Sequence, residues 1–230
     1  MSTMHPRSKR HALRVAVALI VLGGLALGAR AALTPTRVPG VVSIATQASY
    51  QDAALLAEAF SLPVARTYSA LVSQPNGSVC GPTSVANVQR SLGVRDATAS
   101  RVLEGSGLCP FGFCFAGLTL DELAALARVK TGKHARIERD ASLAAFRNSL
   151  EKANDPARRV IANFDRGPLF GVRGGHHSPI AGYLVARDLV LVLDVNATYR
   201  PWLVSSERLY RAVRTVDSAT GRERGLLVLE

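Results

Sequence analysis

"QPNGSVCGPTSVANVQRSLG", residues 74–93, sets a lone cysteine in a glycine- and proline-bracketed turn, directly before an apolar helical pattern. Val85, Val88 and Leu92 recur at helical spacing and Gly93 follows as a stop signal, so a helix starts close to Cys80. A thiol there faces unpaired backbone N–H groups and the positive end of the helix dipole, and both favour thiolate. Gly81 permits close backbone approach, and Pro82 is tolerated in a first helical turn. Taken alone, Cys80 reads better as a small buried apolar residue.

The other cysteines bear on that choice. Cys109 and Cys114, in "GLCPFGFCFAG", are separated by four residues that include proline and glycine. A small bridged loop suits them in an oxidising compartment, which leaves Cys80 as the odd thiol, flagged as reactive. The N-terminus argues for such a compartment. "MSTMHPRSKRHALR" is a basic lead, "VAVALIVLGGLALGA" an apolar core, and "ARA" at 29–31 a small-x-small cleavage pattern. Residues 1–31 therefore read as a signal peptide, with an uncleaved N-terminal anchor as the alternative. The body is expected outside the cytoplasm, periplasmic or anchored facing the periplasm.

The formal net charge of +11 is inflated by that N-terminus. The rest carries 23 basic against 17 acidic residues. No Lys/Arg block interleaved with aromatics occurs, which argues against nucleic acid as a partner. Contact with a membrane is expected only through the N-terminal segment, and the oligomeric state is left open, a homodimer included. At 230 residues the chain suits one domain with a real core.

Along the chain, residues 32–48 read as a leading arm and 49–230 as the catalytic body. "YQDAALLAEAFSL" reads as a helix. Asp96 is expected to cap a helix over "ATASRVLEG", and "TLDE" at 119–122 is a capping box before "LAALARVK". A short strand near "HARIER" and a helix over "SLAAFRNSLEKAN" follow. The back half turns strand-like: "RRVIANF", "HSPIAGYLVA" and "LVLVLDV", the last two joined at "RD", then a helix over "SSERLYRAVRTV" and a closing strand "RGLLVLE". The pattern is α+β, a helical front half packed against an antiparallel sheet.

A second site candidate lies in "RGGHHSPIAGY", with His176 and His177 after two glycines. Asp194 ends "LVLVLDV", eighteen residues beyond His176. A hairpin turning at Arg187–Asp188 returns Asp194 close to His176, where a carboxylate fixes the imidazole tautomer and stabilises the imidazolium. Cysteine at a helix start, then histidine and aspartate on following strands, is the order of papain-like cysteine enzymes. Gln74, six residues before Cys80, fits an oxyanion donor acting with the cysteine's own N–H. His177, next to His176 on a strand, is expected to point to the other face and away from the site. Trp202 reads as core.

With these motifs in order, the chain resembles the phytochelatin synthases, most closely their short bacterial members, over roughly residues 66–230. "QPNGSVCGPTSVANVQRSLG" resembles the family's Q-x5-C-G segment, "GLTLDEL" its G-[MIL]-[TS]-L-D-E-L, and "GHHSPIAGY" its G-H-x-S-P-[IL]-x-[GA]-Y. "LDV" supplies the aspartate at the family spacing, and "TVDSATGRERG" resembles the closing segment. The resemblance implies a papain-like fold with Cys80 as nucleophile, His176 as general base and acid, Asp194 orienting it, and Gln74 in the oxyanion hole. It also implies that Arg166, Asp217 and Arg224 hold a γ-glutamyl-cysteinyl acyl group. The implied reaction cleaves the Cys–Gly bond of glutathione through an acyl-enzyme, with transfer to water or to a second glutathione. No fixed metal ligand set or cofactor is implied. A divalent heavy metal, cadmium or zinc, would enter as the metal–glutathione thiolate.

The chain departs from the family pattern at "DVNATYRPWLV". Ala197 and Tyr199 stand where the family has arginine and lysine, with Arg200 a partial substitute, and the cysteine-rich C-terminal region of plant members is absent. Both departures favour water as the acceptor. Two other functions fit the residues: a papain-like peptidase acting on another peptide, and a metal–thiolate-binding protein without turnover.

Overall fold

Strands form where β-branched and leucine-rich runs are bounded by turn residues. The computed structural model describes residues 36–139 and 141–230, so the signal or anchor segment lies outside the described residues. The strands are β1 (Ala135–Glu138), β2 (Arg159–Asp165), β3 (Gly175–Leu184), β4 (Leu189–Leu193), β5 (Pro201–Ser205) and β6 (Gly225–Leu229). They make one sheet in the order β1-β6-β2-β3-β4-β5. Every pairing is antiparallel. The β3–β4 hairpin turns through Val185–Arg187 and a left-handed Asp188, at the position the sequence indicates.

The principal helices are α1 (Ala53–Phe60), α2 (Cys80–Ser91), α3 (Leu120–Thr131), α4 (Leu143–Lys152) and α5 (Ser206–Val213). The Thr119–Glu122 capping box is formed at the start of α3, and Gly132 closes it in the left-handed conformation. Asp96 does not cap the next short helix, Ala99–Leu103. Thr98 does, accepting from the Arg101 N–H, while Asp96 pairs with the Arg101 guanidinium. Capping depends on a side-chain oxygen reaching an N–H one turn on, and Thr98 is the residue at that distance.

The sheet is buried on both faces. Alternate residues Val160, Ala162 and Phe164 of β2 face a core completed by Phe146 and Leu150 of α4 and Leu209, Ala212 and Val213 of α5. Ile161 of β2 and Leu227 and Leu229 of β6 face the opposite way, toward α2 and α3. Leu191 and Leu193 of β4 meet α1 and the short helix Pro63–Arg66 on that second side. Burial on both sides explains the unbroken apolar reading of "LVLVL". So the helical front half does pack on the sheet, and two back-half helices cover its other face.

Strand β5 has no counterpart among the strands read from sequence. It lies at the sheet edge, where the missing N–H of Pro201 is tolerated. Within the leading arm, Arg37 bridges Val172, and Ile44 is fully buried in the core under α4 and α5.

At the other side of the sheet, Gly225 opens β6 opposite Asn163. A Cβ at Gly225 would stand 2.2 Å from the backbone oxygen of Glu138. Gly225→Ala is expected to cost about 1–3 kcal/mol of stability through this overpacking. Urea denaturation of the purified variant measures it, and an unchanged midpoint would contradict the close approach.

Candidate active site

Cys80 is the first residue of α2, and the sequence provides Val79, not a capping side chain, ahead of it. Its thiol is the one free cysteine among the described residues and is buried. α2 is held to β3 by Ser84, whose hydroxyl lies 3.0 Å from the His177 carbonyl and 2.8 Å from that of Cys80. The β3–β4 hairpin brings Asp194 back to the start of β3, as its spacing predicts. His176 Nε2 lies 2.9 Å from Asp194 Oδ1.

The Asp194 side chain is fully buried and collects several donors. Arg166 Nη2 reaches both of its oxygens at 2.9 Å. The Asn196 N–H donates at 2.9 Å, and Trp202 Nε1 at 3.0 Å. Trp202 is thus a core residue, as read, with a polar handle on the site. Burial pushes the Asp194 carboxyl up, but His176 and Arg166 overcome it and hold the group well below the usual carboxylate range.

The same competition sets the thiol. Burial pushes Cys80 up, yet the charge of His176 and hydrogen bonds with His176 and His177 outweigh it, so the thiol falls well below its ordinary value. For His176, burial and Arg166 press downward. The charge of Cys80 and the hydrogen bond to Asp194 prevail and raise it. Thiolate and imidazolium are therefore mutually stabilised.

His177 corrects the sequence reading. The alternation holds: His176 lies opposite Phe164 and His177 opposite Asn163 on β2, on different faces. However, the face taken by His177 is the one α2 covers. Its Nδ1 lies 3.8 Å from Cys80 Sγ, so it points at the sulfur, not away from it.

The other expected residues gather at the same strand ends. The Gln74 N–H donates to the Val195 carbonyl at 2.8 Å, one residue past Asp194. Its Oε1 is buried without a partner. Arg166 follows β2, and its guanidinium lies 3.8 Å from the centre of the Tyr199 ring. Arg224 packs on Gly175, where a Cβ would meet its Nη1 at 2.7 Å. Its Nη1 is 3.3 Å from Asp217 Oδ2 and 3.2 Å from Asn163 Oδ1. Arg166 Nη1 and Arg224 Nε are buried donors without a protein acceptor, suited to an anionic or carbonyl-bearing ligand. Among the described residues, no group of three or more His, Cys, Asp or Glu side chains is arranged to hold a metal ion.

Cys109 and Cys114 are joined in a disulfide. The loop they close touches the segment leading to Cys80: Asn76 Nδ2 donates to the Gly112 carbonyl at 3.2 Å, and the Cys114 N–H donates to Ser78 Oγ at 3.0 Å. Asn163 is the site residue that sequence reasoning missed, and Trp202, read as core, also reaches the site. Strand pairing opposite His177 and an unpredicted edge strand bring them in.

A cysteine at a helix start facing a strand-borne histidine and a buried aspartate, on a mixed α+β fold, defines the papain-like class. A C39-like peptidase from Bacillus anthracis has this fold, with a TM-score of 0.50 at 12% identity over 71% of this chain and 95% of that one. A profile of the phytochelatin synthase family matches residues 43–226, and the chain belongs to that family. It is 35% identical over 117 residues to glutathione gamma-glutamylcysteinyltransferase 3 of Lotus japonicus, covering 49% of this chain and 24% of that protein. Its likeness to glutathione gamma-glutamylcysteinyltransferase 1 of Arabidopsis thaliana is 33% over 101 residues, 39% of this chain and 21% of that protein. The chain thus spans about a quarter of the length of these curated relatives.

Iodoacetamide labelling without reductant should modify Cys80 alone, with a half-maximal rate at a pH below the ordinary thiol range. Labelling that requires pH above about 8.5, the value of a free thiol, would contradict the electrostatics of the site.

Proposed function

We propose that the protein cleaves the Cys–Gly bond of glutathione and that water is the favoured acceptor. The Cys80 thiolate attacks the carbonyl carbon of that bond, and His176, oriented by Asp194, protonates the leaving glycine. A γ-Glu-Cys thioester on Cys80 remains. His176 then takes a proton from water as the water attacks the thioester, releasing γ-Glu-Cys and the thiolate. Gln74 and the Cys80 N–H serve the oxyanion. Arg166, Asp217 and Arg224 hold the γ-glutamyl end, whose α-ammonium and α-carboxylate call for opposite charges.

The single observation that carries this is the meeting of Cys80, His176 and Asp194 beside two arginines with unpartnered buried donors. Water is favoured over a second glutathione by the loss of two basic side chains. Ala197 is exposed, and the Tyr199 ring is occupied with Arg166. Cadmium or zinc would enter as a glutathione thiolate, a substrate form, in a metal-linked response. Export of the protein is supported by the N-terminal apolar segment and by the disulfide in the body.

Incubating the purified protein with glutathione, with and without cadmium, and resolving products by mass spectrometry tests this. Glycine and γ-Glu-Cys should accumulate, and Cys80→Ser should abolish both. Abundant γ-Glu-Cys oligomers would sink the preference for water. Asp217→Ala should raise KM for glutathione at least tenfold, roughly the loss of one charged contact. Near-normal turnover by that variant would favour a peptidase with a longer substrate.

The pH dependence follows from the paired shifts. Cys80 is lowered and His176 raised, so the thiolate–imidazolium form spans a wide window. kcat/KM should fall at acid pH as the pair gains a proton and at alkaline pH as it loses one, two limbs that belong to the pair together. A profile rising monotonically to pH 10 would contradict it.

A further inference from the structure

The position after the site histidine is open in the family pattern, and here it holds His177, whose ring touches the nucleophile. We infer that His177 is a second catalytic histidine, a fixed Nδ1–H donor to the Cys80 sulfur whose tautomer is set by Asn163 and Arg224. The inference rests on Cys80 being the nucleophile.

The chain of contacts assigns the proton. Arg224 can only donate, so the Asn163 atom 3.2 Å from its Nη1 is the amide oxygen. The other end of that amide, Nδ2, meets His177 Nε2. An amide N–H donates there, so Nε2 is the acceptor and the ring proton resides on Nδ1. Nδ1 is the atom 3.8 Å from Cys80 Sγ. Asp217 steadies the far end by its contact with Arg224.

The arrangement divides two tasks. His176 has a carboxylate behind it and can carry a positive charge, as proton transfer demands. His177 has an amide donor behind it at Nε2, so its ring proton sits on Nδ1, the atom that faces the sulfur. It therefore cannot take the thiol proton, but it can hydrogen-bond the thiolate before attack and again as the sulfur leaves the thioester, while proton transfer is left to His176. The site is buried around it: His177 is 2% exposed and lies between β3 and α2.

The test reads the thiol directly, without glutathione. The rate of Cys80 alkylation by iodoacetamide is followed against pH, where the groups facing the sulfur are His176 and His177. Arg166 and Asp194 stand behind the first, Arg224 behind the second. In His177→Phe the midpoint should rise by about one unit, the effect of losing one hydrogen bond to a charged acceptor. His177→Gln, which keeps an N–H donor, should restore much of the shift. Asn163→Leu, which frees the tautomer, should give an intermediate rise. Nitrogen-15 NMR of the imidazoles in the wild-type protein should show His177 as the Nδ1–H tautomer.

A midpoint unmoved in folded His177→Phe, or an Nε2–H tautomer, overturns the inference and leaves the nucleophile reading intact. A shifted midpoint in a protein that does not turn over glutathione supports the inference and sinks the proposed substrate instead. Circular dichroism establishes that the variants are folded. Were His177→Phe to misfold, the Gln and Leu variants and the NMR tautomer decide the matter alone.

Discussion

A buried carboxylate organises this molecule. Asp194 sits just past β4 with its side chain fully enclosed, where a bare charge would be prohibitively unstable. Its donors come from four separate segments: Arg166 after β2, His176 on β3, the backbone at Asn196, and Trp202 on β5. Each of those segments is therefore fixed relative to the others by the need to satisfy one group. The strand ends converge on Asp194, and the placement of His176 and Arg166 follows from that convergence.

The sulfur is stabilised by a different balance. It is buried at the start of α2, so water contributes little to solvating a thiolate there. The helix N-terminus and two imidazoles replace that solvation. Arg166 illustrates how tightly the parts are shared. One of its nitrogens neutralises Asp194 while its plane lies against Tyr199. A residue expected only to meet substrate is also part of the scaffold that holds Asp194.

Much of the site could be read from sequence because its parts sit at local landmarks. Cys80 stands at a helix start marked by glycine, proline and a following apolar stripe, and the β3–β4 hairpin follows from two apolar runs and a short turn. What was not legible depended on packing across distance. Alternation along β3 separates His176 from His177, yet only the docking of α2 decides which face the sulfur occupies. Trp202 belongs to an edge strand that opens with proline and is too short to stand out. Thr98 and Asp96 are both capping residues by type, and only the local path of the chain chooses between them. Gln74 was singled out by its spacing from Cys80, whereas its seat beside Asp194 comes from a backbone bond to Val195 far along the chain.

The two histidines lie on opposite faces of one strand. A sheet backbone thus runs between two imidazoles that both bear on the same sulfur. Their surroundings have almost no side chain in common: Phe164 and Trp202 line one, Asn163 and Arg224 the other. Substitutions that retune one imidazole can leave the other unaltered. Under the proposed roles, the His177 contact to the sulfur can then drift as the chain diverges without disturbing the aspartate that supports His176.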